Sequence, residues 1–513
     1  MATAGDALNL PPPPAGWVQK PAGLSLCMIV RNEERFLGDA LESAKSVVDE
    51  MCIVDTGSVD RTIEIARVAG ATVKQKPWES DFSKARNAAL EMATRRWVLV
   101  LDADEMLLPK SLPPLDALRS QPAYLTGLWV RCYNLSDDYK GSFALSNAII
   151  RVFPNHERLR FRNPIHEFIA LDGSPHGMPA VPSPVDIVHR GYLAEIMREK
   201  QKDERNLAIA EEQLRAAPAD PYSWYNYASS ALLAGNAIGA ISALERMREL
   251  NAGKKQAFIP VGLGLLGDLY LRTAKDPIKA EAMAREVIEY SPHFANAHFT
   301  LGRALAAQRR FAEAREAYQA AIEDGAYVGD QFVVDNEVPL WKAPSEIGGT
   351  LMEEGAYDLA LAWFEIGLKN RPRVQPVRLN RARALEKVGR NEEAETAFRE
   401  VWEDDRDDLA ANEYLNFLLR RGREREALAM IDALSADVSP PTRLILYGSA
   451  AAVARRLGDE AAGNRYLDAA LALDEVNDKP GRLDALFLHY GDEGLRARLR
   501  EVAGAPAPQG KAP

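Results

Sequence analysis

The chain has 513 residues, 47% hydrophobic and 27% charged, with a formal net charge of −11. That length allows two or more buried cores, and the acidity argues against a general nucleic-acid binder. No stretch approaches the roughly eighteen consecutive apolar residues of a membrane span, and the start lacks a basic-then-apolar export signal, so a cytoplasmic protein is expected.

Residues 1–21, which include Pro11–Pro14, read as a disordered lead-in. From Leu24 the pattern alternates. Leu24–Val30 reads as a strand, 34–46 as a helix and Met51–Val54 as a second strand. Asp60 or Thr62 can cap a helix over 63–70, and 71–75 reads as a third strand. Asp81 or Ser83 can cap a helix over 84–94, and Val98–Leu101 is a fully apolar fourth strand. Alternating strands and helices imply crossovers and a mostly parallel sheet. Residues 124–192 carry aromatics, Gly, Pro and four of the seven histidines, His156, His166, His176 and His189. They read as mixed strands and loops that close a site, with 124–165 as a lid. Cys27, Cys52 and Cys132 fit neither zinc nor disulfide spacing and are expected to be buried thiols.

Beyond about Arg205 the pattern is nearly all helical and repeats. Ala240, Ala280, Ala314, Ala360, Ala394, Ala427 and Ala462 recur in matching contexts, several about 34 positions apart, the length of a tetratricopeptide repeat. Gly302, Ala314, Tyr318 and Ala321 fit that pattern best, and Trp224 and Pro372 also match it. One such hairpin cannot bury its own face, so the repeats are expected to stack into a solenoid. The longer gap between Ala314 and Ala360 implies an insertion near 326–339, which either interrupts the stack or reaches towards the other domain. The expected organisation is a lead-in over 1–21, an α/β domain over 22–195 and a linker helix over 196–217. An α-solenoid over 218–475 and a C-terminal helix with a disordered tail over 476–513 follow.

The chemistry-bearing residues cluster at strand ends, where open α/β sheets place ligands. Asp102, Asp104 and Glu105 follow the fourth strand. Clustered carboxylates repel unless neutralised, and a hard divalent metal that also holds phosphate oxygens suits them. The alternative is helix capping. Val30, Arg31, Asn32 and Glu33 follow the first strand and Asp55 the second. Asn and Asp there suit a base edge and ribose hydroxyls, or else capping and turns. Lys84 and Arg86 sit in a first helical turn, where bases favour an outside anion such as diphosphate, unless they form a solvated face. Glu167 can act as a general base. A histidine such as His166 can supply a third metal ligand or orient an acceptor, although a lone histidine is often structural.

Four motifs in order resemble family 2 glycosyltransferases of the GT-A fold. They are Leu24 to Glu34 (LSLCMIVRNEE), Val54 to Thr62 (VDTGSVDRT), Trp78 with Asp81 to Asn87 (DFSKARN), and Leu101 to Glu105 (LDADE). Ile165-His166-Glu167 and His189-x-Gly191-Tyr192 resemble a bacterial subgroup in which tetratricopeptide repeats follow the transferase domain. That subgroup is related to peptide S-glycosyltransferases. The resemblance implies a GT-A domain over 22–195 and an inverting displacement. It implies Mn²⁺ or Mg²⁺ and a nucleotide-sugar diphosphate, expected from a UDP-sugar, at Asp102 and Asp104; Asp104 is the expected direct ligand, Asp102 contacts ribose or metal, and His189 is the expected further ligand. It gives Val30, Arg31 and Glu33 nucleoside contacts, Asp55 the base and Arg86 the nucleotide site. Glu167 is the expected catalytic base, with His166 beside it. Val59 departs from the commoner Thr. A protein or peptide acceptor on the repeats is expected. The alternatives are a glycan or lipid-linked acceptor with the repeats as a docking scaffold, and a repeat scaffold whose transferase domain is silent.

Overall fold

A computed structural model describes residues 10–15, 17–135, 145–172, 177–190, 202–251, 253, 256, 258–326, 334–434, 438–473 and 476–503. Part of the lead-in, part of the expected lid, His176, the motif residues Gly191 and Tyr192, the start of the linker and the tail lie outside them. Two compact units divide the chain, Met1–Ala343 and Pro344–Pro513.

In the first unit, β1 (Leu24–Val30), β2 (Glu50–Asp55), β3 (Thr72–Gln75) and β4 (Trp97–Val100) pair in parallel, in the order β3-β2-β1-β4. Strands β1 and β4 have apolar side chains on both faces, as a strand covered on both sides requires. Helix α1 (Leu37–Ala44) buries Leu37, Ala40, Leu41 and Ala44, one stripe at helical spacing. Helices α2 (Thr62–Val68), α3 (Phe82–Leu90) and α4 (Leu112–Leu118) complete the crossovers. Asp81 caps α3 by accepting from the Lys84 amide.

The second half of the sheet is mixed. Beyond β4 come β7 (Leu145–Pro154), β6 (Gly127–Asn134), β10 (Ala180–His189) and the short β5 (Glu105–Leu107). β7 is antiparallel to both its neighbours, β6 and β10 are parallel, and β5 runs antiparallel beside β10. β8 (Leu159–Arg162) and β9 (Phe168–Leu171) form a separate hairpin. All three cysteines are free and buried.

The same unit continues as helices: α5 (Lys202–Ala216), α6 (Pro221–Leu233), α7 (Ala237–Asn251), α8 (Phe258–Leu269), α9 (Pro277–Tyr290), α10 (Ala295–Ala307) and α11 (Phe311–Glu323). Ala240, Ala280 and Ala314 are fully buried one turn into α7, α9 and α11. At Gly302 an added Cβ would lie 2.5 Å from the Tyr318 ring, so the small residue admits the aromatic that fills the seam. The insertion does reach the sheet: β11 (Val334–Asp335) pairs antiparallel with β7, and Ser146 Oγ donates to Asn336 Oδ1 at 3.2 Å.

The second unit repeats the device. α12 (Ala343–Glu353) starts at the boundary. It is followed by α13 (Tyr357–Asn370), α14 (Gln375–Lys387), α15 (Asn391–Asp405), α16 (Asp408–Arg420), α17 (Glu424–Asp432), α18 (Pro440–Arg456) and α19 (Glu460–Leu471). Ala360, Ala394, Ala427 and Ala462 are buried, and Gly348 admits the Phe364 ring as Gly302 admits Tyr318. Two helices, α20 (Lys479–Tyr490) and α21 (Glu493–Ala503), end the described chain where one was expected. No helix among the described residues is long and apolar enough to cross a membrane.

Candidate active site

A cavity of about 780 Å³ opens at the carboxyl ends of β1 and β4. Val30, Arg31, Asn32, Glu33, Arg86, Asp102, Asp104, His166, Glu167 and His189 all line it, while Asp55, Lys84 and Glu105 do not. The acid turn is self-supporting. The Asp102 amide donates to Glu105 Oε2 at 2.9 Å, and the Glu105 amide donates back to the Asp102 carbonyl at 3.0 Å. Glu105 is therefore a buried structural acid. Arg151, from β7, donates through Nη2 to Asp102 Oδ2 at 2.7 Å and to Glu105 Oε1 at 2.5 Å. Although burial pushes the Asp102 carboxyl up, Arg151 and Arg86 hold it far below the usual carboxylate range. Burial raises Glu105, and the charge of Asp102 adds to that rise.

Helix α3 builds the next wall. Asn87 Nδ2 donates to the Phe161 carbonyl at 2.9 Å and its Oδ1 accepts from the Phe161 amide at 2.8 Å. The Phe82 amide donates to the Pro164 carbonyl at 2.9 Å. The loop between β8 and β9 is thus clamped onto the helix. Asn163 and His166 take positive φ, 75° and 51°, to make the turn. Arg86 is buried; its Nε donates to Glu167 Oε1 at 2.5 Å and its Nη2 to Asp102 Oδ1 at 2.7 Å. Its buried Nη1 has no hydrogen-bond partner. Lys84 is exposed and pairs with Glu79 at 3.0 Å, the solvated alternative for that side chain.

The residues expected at a metal do not form one cluster. Among the described residues no three His, Cys, Asp or Glu side chains are disposed to hold an ion. Asp104 and His189 do meet, with Nε2 3.4 Å from Oδ1, because β5 lies beside β10 with Glu105 opposite His189. His189 Nδ1 is 3.0 Å from Asn134 Oδ1, and Asn134 Nδ2 donates to Asn147. With Nδ1 facing the Asn134 oxygen, Nε2 is turned towards Asp104, as in a histidine ligand oriented by a neighbouring polar group. Burial lowers the His189 pKa, and Asp104, with Glu105 and Asp102 behind it, more than reverses that. The pair fits a divalent cation in place of a proton. Asp102 instead lies between two guanidiniums.

At the nucleoside side, Asn32 takes a positive φ of 54° and ties the two motif loops together. Its amide donates to Ser58 Oγ at 3.0 Å, and its Oδ1 accepts from the Val59 amide at 2.9 Å. Asp60 Oδ1 accepts from the Thr62 amide at 3.0 Å. Asp55 is fully buried and accepts from the Gly57 and Ser58 amides, both at 3.1 Å, and from Ser58 Oγ. These contacts are the turn chemistry that Asn and Asp offered. Val30, Arg31, Glu33 and Thr56 line the wall itself.

Residues 25–170 match the model of Glycosyl transferase family 2, and residues 271–326 match a tetratricopeptide repeat. The transferase model thus takes in the N-terminal α/β domain and none of the repeats. Relatives of the chain include the glycosyltransferase SunS of Bacillus subtilis, 26% identical over 221 residues, covering 42% of this chain and 51% of that protein. A TPR repeat-containing protein of Synechococcus elongatus is 37% identical over 208 residues (39% and 50%). An uncharacterized glycosyltransferase of Rickettsia typhi is 30% identical over 174 residues (33% and 57%). The chain thus spans about half the length of the curated relatives it matches. Among solved structures, a tetratricopeptide repeat protein from Parabacteroides merdae matches 55% of this chain and 98% of its own. The identity is 15% and the TM-score 0.37.

The cavity and its surroundings also hold residues for which the sequence suggested no role. Arg151 is one; its only signal is a charge inside the apolar run Ile149-Ile150-Arg151-Val152-Phe153 of β7. Trp78 and Phe82, within the third motif, form an aromatic pair with centroids 4.8 Å apart at the cavity wall. Arg205 and Asn206, from α5, line the cavity from outside the family match.

Proposed function

We propose that the protein is a metal-dependent, inverting glycosyltransferase. It moves a sugar from a nucleotide sugar, a UDP-sugar by family resemblance, to a protein or peptide held by the repeats. One observation carries this reading: Glu167, Arg86 and Asp102 are joined in an unbroken chain of hydrogen bonds beside the Asp104–His189 pair, in one cavity.

Glu167 Oε1 is taken by Arg86, and Oε2 has no hydrogen-bond partner among the described residues. That oxygen accepts the proton of the attacking acceptor group, with His166 beside it to orient the acceptor. As the acceptor–C1 bond forms, the C1–O bond to phosphate breaks, and the electron pair leaves on the nucleoside diphosphate. Arg86, whose Nη1 has no hydrogen-bond partner among the described residues, is proposed to stabilise that charge. Asp104 and His189 would hold Mn²⁺ or Mg²⁺, which supplies Lewis-acid stabilisation of the diphosphate when bound. Val30, Arg31 and Glu33 are proposed for the nucleoside. Asp55 is proposed for the base alongside its turn bonds, since a carboxylate offers about four lone-pair positions.

The test is a thermal-shift and transfer assay on the purified protein with Mn²⁺ and a panel of nucleotide sugars. A true donor at a hundred times its Kd should stabilise the fold by about 2.7 kcal/mol. No stabilisation by any donor overturns the reading. Asp104→Ala should remove the metal-dependent part of the shift. Glu167→Gln should keep donor binding and slow transfer by roughly a hundredfold or more. Labelled sugar should enter the protein fraction of a cell extract; label confined to lipid would favour the lipid-linked acceptor.

A further inference from the structure

Arg205 stands on α5, beyond the family match that ends at residue 170, yet it lines the donor cavity. The helix face explains why. Arg205 and Asn206 lie one turn before Ile209 and Ala210, which are buried against Ile165 with Trp78 and Phe82 packed on them. Residues four apart share a helix face. The face that docks α5 on the transferase domain therefore lays Arg205 and Asn206 along the cavity.

The guanidinium of Arg205 sits 5.2 Å from the centroid of Phe82, one turn before Arg86 on α3. Its Nε and Nη2 donate to Asn206 Oδ1 at 3.3 and 3.1 Å, which leaves the Nη1 hydrogens for a ligand. Arg86 and Arg151 have carboxylate partners. Arg31 and Arg205 form no ion pair among the described residues. Burial, then the like charge of Arg31, push Arg205 below its ordinary pKa, and Glu33 acts the other way. An anion between the two cations relieves that repulsion, and the guanidinium fork matches phosphate oxygens.

We propose that Arg205, beside Arg31 at the nucleoside end, binds the phosphate groups of the nucleotide donor, so that the helix leading into the repeats is part of the donor site. This rests on the glycosyltransferase reading. Calorimetric titration of the full chain with Mn²⁺ and UDP, GDP, ADP and the matching nucleosides tests it, with wild type, Arg205→Gln and Arg205→Lys compared. Loss of a charge-assisted contact should weaken nucleoside diphosphate binding by about tenfold to a hundredfold in Arg205→Gln. Nucleoside affinity should stay the same, and Arg205→Lys should recover part of the loss. Unliganded melting temperatures separate this from a folding defect. Wild-type diphosphate affinity in Arg205→Gln, or an equal loss for diphosphate and nucleoside, overturns the Arg205 assignment alone. Failure of the wild type to bind any nucleotide overturns the glycosyltransferase reading and this inference with it.

Discussion

The transferase domain and the helices of residues 344–513 hold their charges in opposite ways. In the domain, Arg86, Asp102, Glu105, Arg151 and Glu167 form one chain of ion pairs, and four of the five side chains are nearly out of solvent. In the helices, charges pair at the surface, as in Arg420–Glu386 and Arg390–Glu393, while alanines and aromatic rings fill the core. A repeat array sums many neighbour contacts, so no single pair decides it. A buried network is different: removing one member leaves the others desolvated and uncompensated.

The largest effect should therefore come from Arg151, which no motif marks. Arg151→Met leaves Asp102 and Glu105 without their shared cation and should destabilise the protein by about 3–5 kcal/mol in urea denaturation. Adding Glu105→Gln should recover part of that loss. An Arg151→Met protein as stable as wild type would break the contrast, because the acids would then tolerate burial without it.

In the helices the sensitive points are steric. A Cβ on Gly348 would lie 2.5 Å from the Phe364 ring. Gly348→Ala should lose about 1–3 kcal/mol from overpacking, reduced by up to about 1 kcal/mol from the better helix propensity of Ala. Gly348→Ala with Phe364→Leu should be milder than the sum of the single changes, since both act on one contact. Strict additivity in the denaturation data would show that the seam is not what fixes this spacing.

These two cases also show what the sequence could reveal. The small residues repeat at a fixed period, so Ala394 and Gly302 could be placed at helix seams without coordinates. Asp102 and Asp104 were visible because a wholly apolar strand ends in them. Arg151 was not, because its partners come from a different strand and only the β4–β7 pairing brings them together. Arg205 was missed because its role depends on α5 packing back on the transferase domain, which no local pattern encodes. Asp55 offered both turn chemistry and base recognition, and only the geometry shows its carboxylate holding the turn at Ser58. The insertion after Ala326 could be located by repeat length, but the choice between interruption and contact needed the β11–β7 pairing.

A smaller effect on stability, with a larger one on activity, should come from where the first repeat helix meets the site. Tyr222 on α6 donates its hydroxyl to the His166 carbonyl at 2.9 Å, at a residue held in the left-handed region. Tyr222→Phe removes that donor and should lower stability by only about 0.5–1.5 kcal/mol. Because Glu167 is the next residue, kcat should fall while donor KM stays near wild type. A matching rise in donor KM would mean that Tyr222 shapes the nucleotide pocket instead of positioning the base.

The smallest effect should be at the Arg420–Glu386 pair, which links neighbouring helix hairpins. Arg420 donates to both carboxylate oxygens, at 3.1 and 2.8 Å, so its geometry is as good as that of the buried pairs. What differs is solvent: the Arg420 side chain is 49% exposed, against 7% for Arg86. If burial rather than geometry sets the weight of an ion pair, Arg420→Ala should lose only about 0.2–1 kcal/mol. The loss should shrink further as salt is raised from 0.05 to about 0.5 M, since exposed charges are screened. A salt-insensitive loss of several kcal/mol would place this bidentate pair in the same class as Arg151. The contrast between the two regions would then rest on where the charges lie in the fold, and no longer on how much water reaches them.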